Sequence, residues 1–443
     1  MRRDARGNPV STASAAALDA SEQALWRMMS FYGTPIDDLD AAIAADAHWM
    51  LPRLMKAGFL LSLTEPSLHD DARKLLGDAE PLLAIATRRE LDHLSALQAL
   101  AEGDWDMACT AWDRLLLAHP RDPLALQWAH LFDFYRGDSQ ALRQRGARTL
   151  PEWKAEDPLY PYVLGLYAFG LEETNFHVEA ESAGRAALAG EARVPWAIHA
   201  VAHVMDMQGR HEEGAAWLAQ WRPHWAEGNG FTCHLAWHEA LFALEACDHA
   251  AALRVFDTYL HPKATEITLQ RVDAASLLWR LDLQGADVGD RWRALVADWH
   301  LDFRHAGHST FNDTHALLAL LGLGDMPRAA AWLRTALARA ADRGGPNAAV
   351  ARDVGEPLME GLLAFARGDH DVAVATLYPI RAQAQRFGGS HAQRDLIDQT
   401  LLAASARGRE KNVGRALLNE RKLAKRMTPL TEHWARALGL AAS

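Results

Sequence analysis

Histidine is the residue type with which this sequence could do most chemistry, and several of its histidines share a helical spacing. His199 and His203 lie four residues apart, and so do His234 and His238. Each pair therefore projects two imidazoles from one face of a helix. Asp206 follows His203 by three residues and extends the same stripe. Imidazoles and carboxylates arranged in this way can bind a divalent metal or exchange protons with a substrate.

The same side chains stand at similar distances before a short recurring turn. His234 lies 13 residues before Cys247, and His238 and His315 each lie nine residues before the first residue of their turns. Side chains at equal distances from such turns have equivalent heights on successive helices, so we expect them to face one another. The spacing therefore predicts one shared site. Its candidate catalytic residues are His199, His203, His234, His238, Asp273 and His315.

A divalent metal is one of two chemistries open to this set. His199, His203 and His238 are the candidate ligands, because helical pairs four residues apart hold both imidazoles to one side. The zinc-protease pattern H-E-x-x-H does not occur in the chain, so the spacing alone does not establish a metal. Without a metal, the same His and Asp groups could act as general acids and bases, with pKa values tuned by neighbouring charges.

The segment 388–395, with the sequence GGSHAQRD, combines a helix start with two basic side chains. Ser390 followed by Gln393 is typical of a capping box, which accounts for those two residues without a ligand. His391 and Arg394 would stand in the first turn, where the helix dipole disfavours a cation unless an anion is bound. We therefore expect a small-molecule ligand with an acidic group here, with a bare helix cap as the alternative. The candidate ligand-binding residues are Trp237, Arg280, Ser390, His391, Arg394 and Asp395.

Helices must position these side chains, and apolar residues do recur at helical spacing, as in Leu94, Leu97 and Ala101. A Gly-centred turn followed by a small residue recurs along the chain. Its copies begin at residues 103, 137, 175, 209, 247, 285, 324, 368 and 408. A period near 34 residues, with one helix on each side of the turn, is typical of the tetratricopeptide (TPR) repeat. The sequence predicts an all-α fold, a TPR-like α-solenoid in which antiparallel helical hairpins form a right-handed superhelix.

We expect a single solenoid domain. It would comprise a flexible N-terminus over 1–12, N-terminal helical layers over 13–88, and TPR-like repeats over 89–443 that continue from them. Five strings in this range resemble the tetratricopeptide repeat protein 38 family in order and spacing. They are WAIHAVAHVMDMQGRHEEG at 196–214, HLAWHEALFALEAC at 234–247, DAASLLWRL at 273–281, FNDTHALLAL at 311–320 and GGSHAQRD at 388–395. The resemblance implies a TPR-like superhelix and no particular reaction.

Composition excludes disordered, collagen-like and coiled-coil chains. Apolar residues make up 49% of the 443 residues and charged residues 23%, as in ordinary globular chains. The net charge of −11 carries no compensating basic run, so we expect neither nucleic acid nor a membrane as partner. The N-terminus lacks the apolar core of a signal peptide. Three scattered cysteines predict no disulfide framework and a reducing, cytoplasmic location.

Two functions fit these observations. The first is an enzyme, a hydrolase or lyase with or without a metal, whose concave side forms a small-molecule pocket lined by His, Asp, Arg and Trp. The alternative is a TPR scaffold without enzymatic activity that binds a peptide or partner protein in its groove. Fold class alone favours the scaffold, while the histidine cluster favours the pocket. The oligomeric state, a homodimer included, stays open.

Overall fold

The structure is a computed structural model that describes residues 2–440, and most of these residues are helical. The predicted all-α class with TPR-like helical hairpins is confirmed. The α-helices in chain order are α1 (Ala15–Ser30), α2 (Ile36–Ala45), α3 (Leu51–Ser62), α4 (His69–Gly77), α5 (Arg88–Ala101), α6 (Trp105–Ala118), α7 (Pro123–Tyr135), α8 (Ser139–Thr149), α9 (Tyr160–Glu172), α10 (His177–Gly190), α11 (Pro195–Met207), α12 (His211–Trp221), α13 (Thr232–Glu245), α14 (His249–Val255), α15 (Thr268–Leu283), α16 (Arg291–Trp299), α17 (Thr310–Gly322), α18 (Met326–Arg343), α19 (Gly345–Val350), α20 (Glu356–Ala366), α21 (His370–Ile380), α22 (His391–Arg407), α23 (Lys411–Ala424) and α24 (Pro429–Ala437).

Shorter helical turns connect several of these helices. Two π-helical turns extend α14 and α19, at Phe256–Leu260 and Ala351–Gly355. Short 3-10 helices occur at Pro66–Leu68, Glu80–Leu82, Leu150–Glu152, Arg222–His224, Pro262–Ala264 and Arg381–Phe387. Between residues 2 and 440, no helix combines the length and the apolar content needed to cross a membrane.

The chain forms two compact units. The first contains the residues up to 201 together with 223–231, and the second contains 202–222 together with the residues from 232 onward. Helix α11 therefore begins in the first unit and ends in the second. The sequence-based division at residues 12 and 88, and the single solenoid domain, stay predictions.

The recurring turn ends its helix with a left-handed residue, as the repeat pattern predicts. At the first residue of these turns φ lies between 55° and 85°, at Gly103, Gly137, Asn175, Gly209, Cys247, Gly285, Gly324 and Gly368. The next N–H then donates to a carbonyl five residues back, as from Asp104 to Ala99 at 2.9 Å. This is the Schellman arrangement, which satisfies the last carbonyls of a helix. Gly408 differs, with φ of −94°, so the last copy lacks the left-handed residue.

In six of the nine signatures a small residue five positions on lets the second helix pack closely. Ala108, Ala180, Ala252 and Ala373 at this position are all 0% exposed. Gly214 occupies the same position on α12, where an added Cβ would come within 2.2 Å of the Phe242 ring. At these positions the close packing of the second helix depends on a small or absent side chain, as the TPR pattern requires.

The first residues contain strands, which the sequence does not predict. Two-residue strands, β1 (Arg2–Arg3) and β2 (Pro9–Val10), pair antiparallel where the sequence predicts a flexible segment over 1–12. The Asp4 carboxylate holds the turn between them, because its Oδ1 accepts hydrogen bonds from the N–H groups of Arg6 and Asn8. The Asp4 side chain therefore stabilises this hairpin, which lacks the alternation of apolar and polar residues from which strands are usually predicted.

The second unit fills its inner side with its own helices. Helix α13 packs against α15, and α15 packs against both α17 and α22. The C-terminal helix α24 contacts α13 and α22. Polar side chains on these helices, such as His238, Asp273 and Arg280, are buried, and this region, the closed interior of the second unit, contains the candidate site.

Candidate functional site

Three histidines of the second unit form one cluster. His203 lies near the end of α11, and His234 and His238 lie one turn apart on α13. The ring centroids of His203 and His238 are 4.5 Å apart, and those of His234 and His238 are 4.9 Å apart. One ring nitrogen from each of the three lies within 4.8 Å of the other two. The structure thus brings together three of the histidines that the spacing selects.

The environment keeps His238 uncharged. The residue is 0% exposed. Burial lowers its pKa well below the usual value, and the neighbouring His203 and His234 lower it further. A neutral imidazole has a lone pair on one ring nitrogen, and this is the form that binds a metal or accepts a proton.

Asp273 and Trp237 hold the cluster in place. Asp273, on α15, accepts a hydrogen bond at Oδ2 from Nδ1 of His234 at 2.8 Å. In a neutral ring this leaves the lone pair on Nε2 of His234. Trp237 donates from Nε1 to Ser276 Oγ at 2.9 Å, and its ring centroid lies 4.8 Å from that of His238. Asp273 therefore joins the three histidines, as the sequence predicts.

Arg280, a predicted ligand-binding residue, is bound by the protein itself. Its guanidinium, on α15, is 0% exposed and donates to the carbonyl oxygens of Ser276, Ala392 and Gln393 at 3.1, 2.8 and 3.1 Å. Its ζ-carbon lies 5.5 Å from the ring centroid of Trp237. Burial lowers the pKa of Arg280 to about 10, so the side chain remains a cation at neutral pH.

A buried carboxylate on α13 anchors the segment 421–428. Glu245 accepts hydrogen bonds at Oε1 from Lys425 at 2.7 Å and also from Arg421, and at Oε2 from Thr428 at 2.6 Å. Burial alone would raise the pKa of Glu245, but Lys425 and Arg421 hold it below its usual value. These contacts tie the segment before α24 to the middle of the second unit.

Asp395 and Asp206 extend this network. Asp395 accepts from Arg421 at 2.8 Å through Oδ1 and from Gln399 at 2.6 Å through Oδ2. Burial alone would raise its pKa, but Arg421 and Lys425 hold it well below the usual range. Asp206 accepts from Lys425 at 3.3 Å. Asp395, a predicted ligand contact, therefore forms an internal ion pair.

A small cavity adjoins the network. Its lining residues are Asp206, Leu241, Leu244, Glu245, Arg280, Ala392, Asp395, Gln399 and Leu430. It has room for about one water molecule. Gln399 is 3% exposed, and its Oε1 has no hydrogen-bond partner within residues 2–440. An ordered water would satisfy this oxygen, but a substrate of several heavy atoms would not fit.

His315 lies on α17, and His199 lies on α11, one turn before His203. His315, on α17, is 3% exposed, and its Nδ1 donates to the carbonyl of Phe311 in its own helix at 2.8 Å. Burial lowers its pKa to about 4. His199 belongs to the first unit, where its ring lies 5.0 Å from Phe169 and 5.3 Å from Trp196 between centroids. Their catalytic roles stay predictions.

The segment 388–395 contains the capping box that the sequence indicates. Gln393 N–H donates to Ser390 Oγ at 3.3 Å, and Ser390 N–H donates to Gln393 Oε1 at 3.0 Å. Arg394 donates to the carbonyl of Gly389, and one of its terminal nitrogens lies 3.3 Å from Nδ1 of His391. The two basic groups thus fold back onto their own turn. Anion binding by this segment stays a prediction.

Sequence reasoning missed a buried ionic cluster in the first unit. Asp122 is 0% exposed and accepts at Oδ2 from Arg89 at 2.5 Å, with Nε2 of His93 at 3.0 Å. Its Oδ1 also caps α7 by accepting from Leu124 N–H at 3.0 Å. The sequence signal for this cluster is the spacing of four residues between Arg89 and His93 on α5, followed by the Asp122-Pro123 pair that begins α7. Asp122 thus joins two helices and starts one of them.

The first unit also has an open cleft of about 560 Å³. Its lining residues are Ala5, Arg6, Asp19, Glu22, Gln23, Trp26, Arg121, Lys154, Glu156, Asp157, Pro158 and Leu159. Trp26 is partly exposed and donates from Nε1 to Tyr162 Oη at 3.0 Å. This cleft combines charges of both signs with one aromatic ring, and it is large enough for several side chains of another molecule.

No known protein-family model matches this chain. Among solved structures, a tetratricopeptide repeat protein from Parabacteroides merdae is similar at 12% identity and a TM-score of 0.32, over 71% of this chain and 98% of that one. Yeast Tom70 is similar at 13% identity and a TM-score of 0.35, over 96% of this chain and 86% of its own. At these values neither structure transfers a residue role or a ligand to this chain.

Proposed function

We propose that this chain is a helical-repeat protein that acts by binding a partner protein or peptide, and that the polar cluster of its second unit is structural. One observation carries the proposal: Arg280 and Asp395, two residues selected for ligand binding, are bonded to other groups of the protein and line a cavity that holds about one water molecule. An enzyme pocket for a small organic substrate needs a few hundred Å³. The scaffold function therefore fits the geometry better than the hydrolase or lyase.

The charges of the interior support a structural role. Asp206, Glu245 and Asp395 pair with Arg421 and Lys425 through direct hydrogen bonds. Buried carboxylates that are matched in this way hold helices together but have no group left to exchange protons with a substrate. Such a network specifies which helices pack, and it leaves recognition to the outer surfaces.

The cleft of the first unit is the surface we assign to the partner. Lys154 and Glu156 on its rim are exposed, and Trp26 offers a partly exposed ring. Rim charges of both signs set the specificity and association rate of an interface, while an aromatic ring supplies most of its contact energy. A peptide with both acidic and basic side chains around one apolar anchor would complement this cleft.

Affinity capture with reconstitution tests this function. We expect one partner to form a stoichiometric complex with the purified chain, and we expect Lys154→Glu with Glu156→Lys to weaken that complex at least tenfold. Lys74→Glu, an exposed lysine on α4 of the same unit, is the matched control and should leave binding unchanged. A complex that is equally strong in all variants would place the partner elsewhere. A chain that purifies alone yet is stabilised by a small molecule would contradict the scaffold function.

Two finer assignments belong to the same proposal. The strings around 196–214 and 388–395 support membership of the tetratricopeptide repeat protein 38 family. Cys109, Cys233 and Cys247 are free thiols, and this supports a reducing, cytoplasmic location.

An acid–base enzyme is the second candidate function. The pair of His234 and Asp273 favours it, because the Asp273 carboxylate, 2.8 Å from Nδ1 of His234, fixes the tautomer of that imidazole. The side chain of His234 is 16% exposed, so a substrate in solvent could reach it. A ligand with an acidic group would then reach Arg394. Thermal-shift screening with small carboxylates tests this candidate: stabilisation that is lost in His234→Ala and Arg394→Ala would support it, and no stabilisation of the wild type would oppose it.

A further inference from the structure

We propose that His203, His234 and His238 bind one late first-row divalent ion, of which Zn²⁺ fits best. The three side chains come from two helices and converge within 4.8 Å, measured between one ring nitrogen of each. This ligand set shares His203 and His238 with the one that sequence spacing selects, and it adds His234. The inference is independent of partner binding, since a structural ion would stabilise the second unit whatever binds elsewhere.

The distances suit a tetrahedral ion after small side-chain rotations. Zn–N bonds of about 2.0–2.1 Å at a tetrahedral angle separate the nitrogens by ~3.3 Å. Nitrogens that now lie within 4.8 Å must therefore close by ~1.5 Å or less. His234 and His238 are one turn apart on α13, so their backbone spacing already matches a shared ion.

Asp273 supplies the outer support that metal-binding histidines usually have. Its carboxylate accepts from Nδ1 of His234 at 2.8 Å, so Nε2 is the nitrogen that binds the ion. Asp273 is 2% exposed and lies on a third helix, α15. An aspartate behind a histidine orients the ring and increases its basicity, so Asp273 is a positioning residue and not a ligand.

The chemistry of the donors selects the metal. Three imidazoles prefer Zn²⁺, Cu²⁺, Ni²⁺ or Co²⁺, whereas Mg²⁺ and Ca²⁺ prefer oxygen ligands. His203 and His238 are 0% exposed, while the side chain of His234 is 16% exposed and gives the ion a path from solvent. Three protein nitrogens leave a fourth position for water. The ion would join α11 to α13 directly and α15 through Asp273.

Metal titration of the untagged chain tests the site. After treatment with EDTA and dialysis, Zn²⁺ or Co²⁺ alone is added, and the metal bound is measured by mass spectrometry and by competition with a chromophoric chelator. We expect one ion per chain and a higher melting temperature with Zn²⁺. His203→Ala, His234→Ala and His238→Ala should each abolish this binding, and Asp273→Asn should weaken it ~10–100-fold.

His315→Ala is the matched control, because His315 is also buried in the second unit but hydrogen-bonds to its own helix. It should bind the ion as the wild type does. Circular dichroism in EDTA shows whether each variant folds. If a variant does not fold, anomalous diffraction at the zinc edge locates the ion in the wild type instead. A wild type without bound metal, an ion away from His238, or an equal loss in His315→Ala would overturn the site.

Discussion

Replacing Glu245 with glutamine removes one buried charge and keeps the size of the side chain. The wild-type carboxylate is 4% exposed and accepts from Lys425 at 2.7 Å, from Thr428 at 2.6 Å and from Arg421. The variant leaves Lys425 with Asp206 at 3.3 Å as its carboxylate partner. Removing one partner of a buried ion pair costs about 3–5 kcal/mol, because the other charge stays buried.

This cost converts into a large change in melting temperature. For a unit of about 150–250 residues, 1 kcal/mol shifts the melting temperature by roughly 2–4 °C. We therefore expect Glu245→Gln to lower the melting temperature by about 6–20 °C. Near-ultraviolet circular dichroism measures this, because the aromatic packing of the second unit depends on the same helices.

Glu239 is the matched control for this experiment. It lies on the same helix and pairs with Arg222 at 2.5 Å, but the two side chains are 22% and 34% exposed. A pair with that exposure contributes about 0–1 kcal/mol, so Glu239→Gln should shift the melting temperature only slightly. Adding Lys425→Met to Glu245→Gln should restore part of the loss, since it removes a buried charge that has lost the closer of its two carboxylate partners. Equal shifts for Glu245→Gln and Glu239→Gln would refute the structural role of the network.

Three further outcomes are expected. Burial raises the pKa of Asp313 to about 7. Between about pH 4 and 7 the folded state therefore keeps a proton that the unfolded chain has released, so the free energy of unfolding falls as the pH rises through this range. Asp313→Asn should therefore lose melting temperature less steeply than the wild type over that range. Ser390→Ala should lower the free energy of unfolding by about 1 kcal/mol through loss of the cap, as urea titration would show. Gly214→Ala should destabilise the protein because the added Cβ would come within 2.2 Å of the Phe242 ring, although alanine favours helices by about 1 kcal/mol. Gly77→Ala, with no atom within 4 Å of the added Cβ, should not destabilise it.

The turns and hairpins could be predicted because their causes are local. The left-handed residue, the following Asp cap and the small residue five positions on all lie within six residues of each other, as at Gly103 to Ala108. The positions of His234 and His238 are also set locally. Their spacing of four residues places them on one face of α13, and their offset from Cys247 fixes their height on that helix.

The closed interior could not be predicted in this way. It depends on α24 packing against α13, which is distant in sequence, and no local pattern links Arg421 or Lys425 to Glu245. His315 shows the same gap: it has the predicted offset, yet its Nδ1 is hydrogen-bonded within α17. Offsets from a turn predict the height of a side chain, but whether a groove is open or filled depends on long-range packing.

Helix α13 carries both buried features of the second unit, the histidine cluster and the charge network. His238 and Glu245 are seven residues apart, which places them two turns, or about 10 Å, apart along the helix axis. Substitutions separated by this distance that share no partner usually act independently. Asp273 supports the histidines, whereas Arg421 and Lys425 support the carboxylate. Loss of metal binding and loss of the ion pairs can therefore be measured separately, and the failure of one inference leaves the other intact.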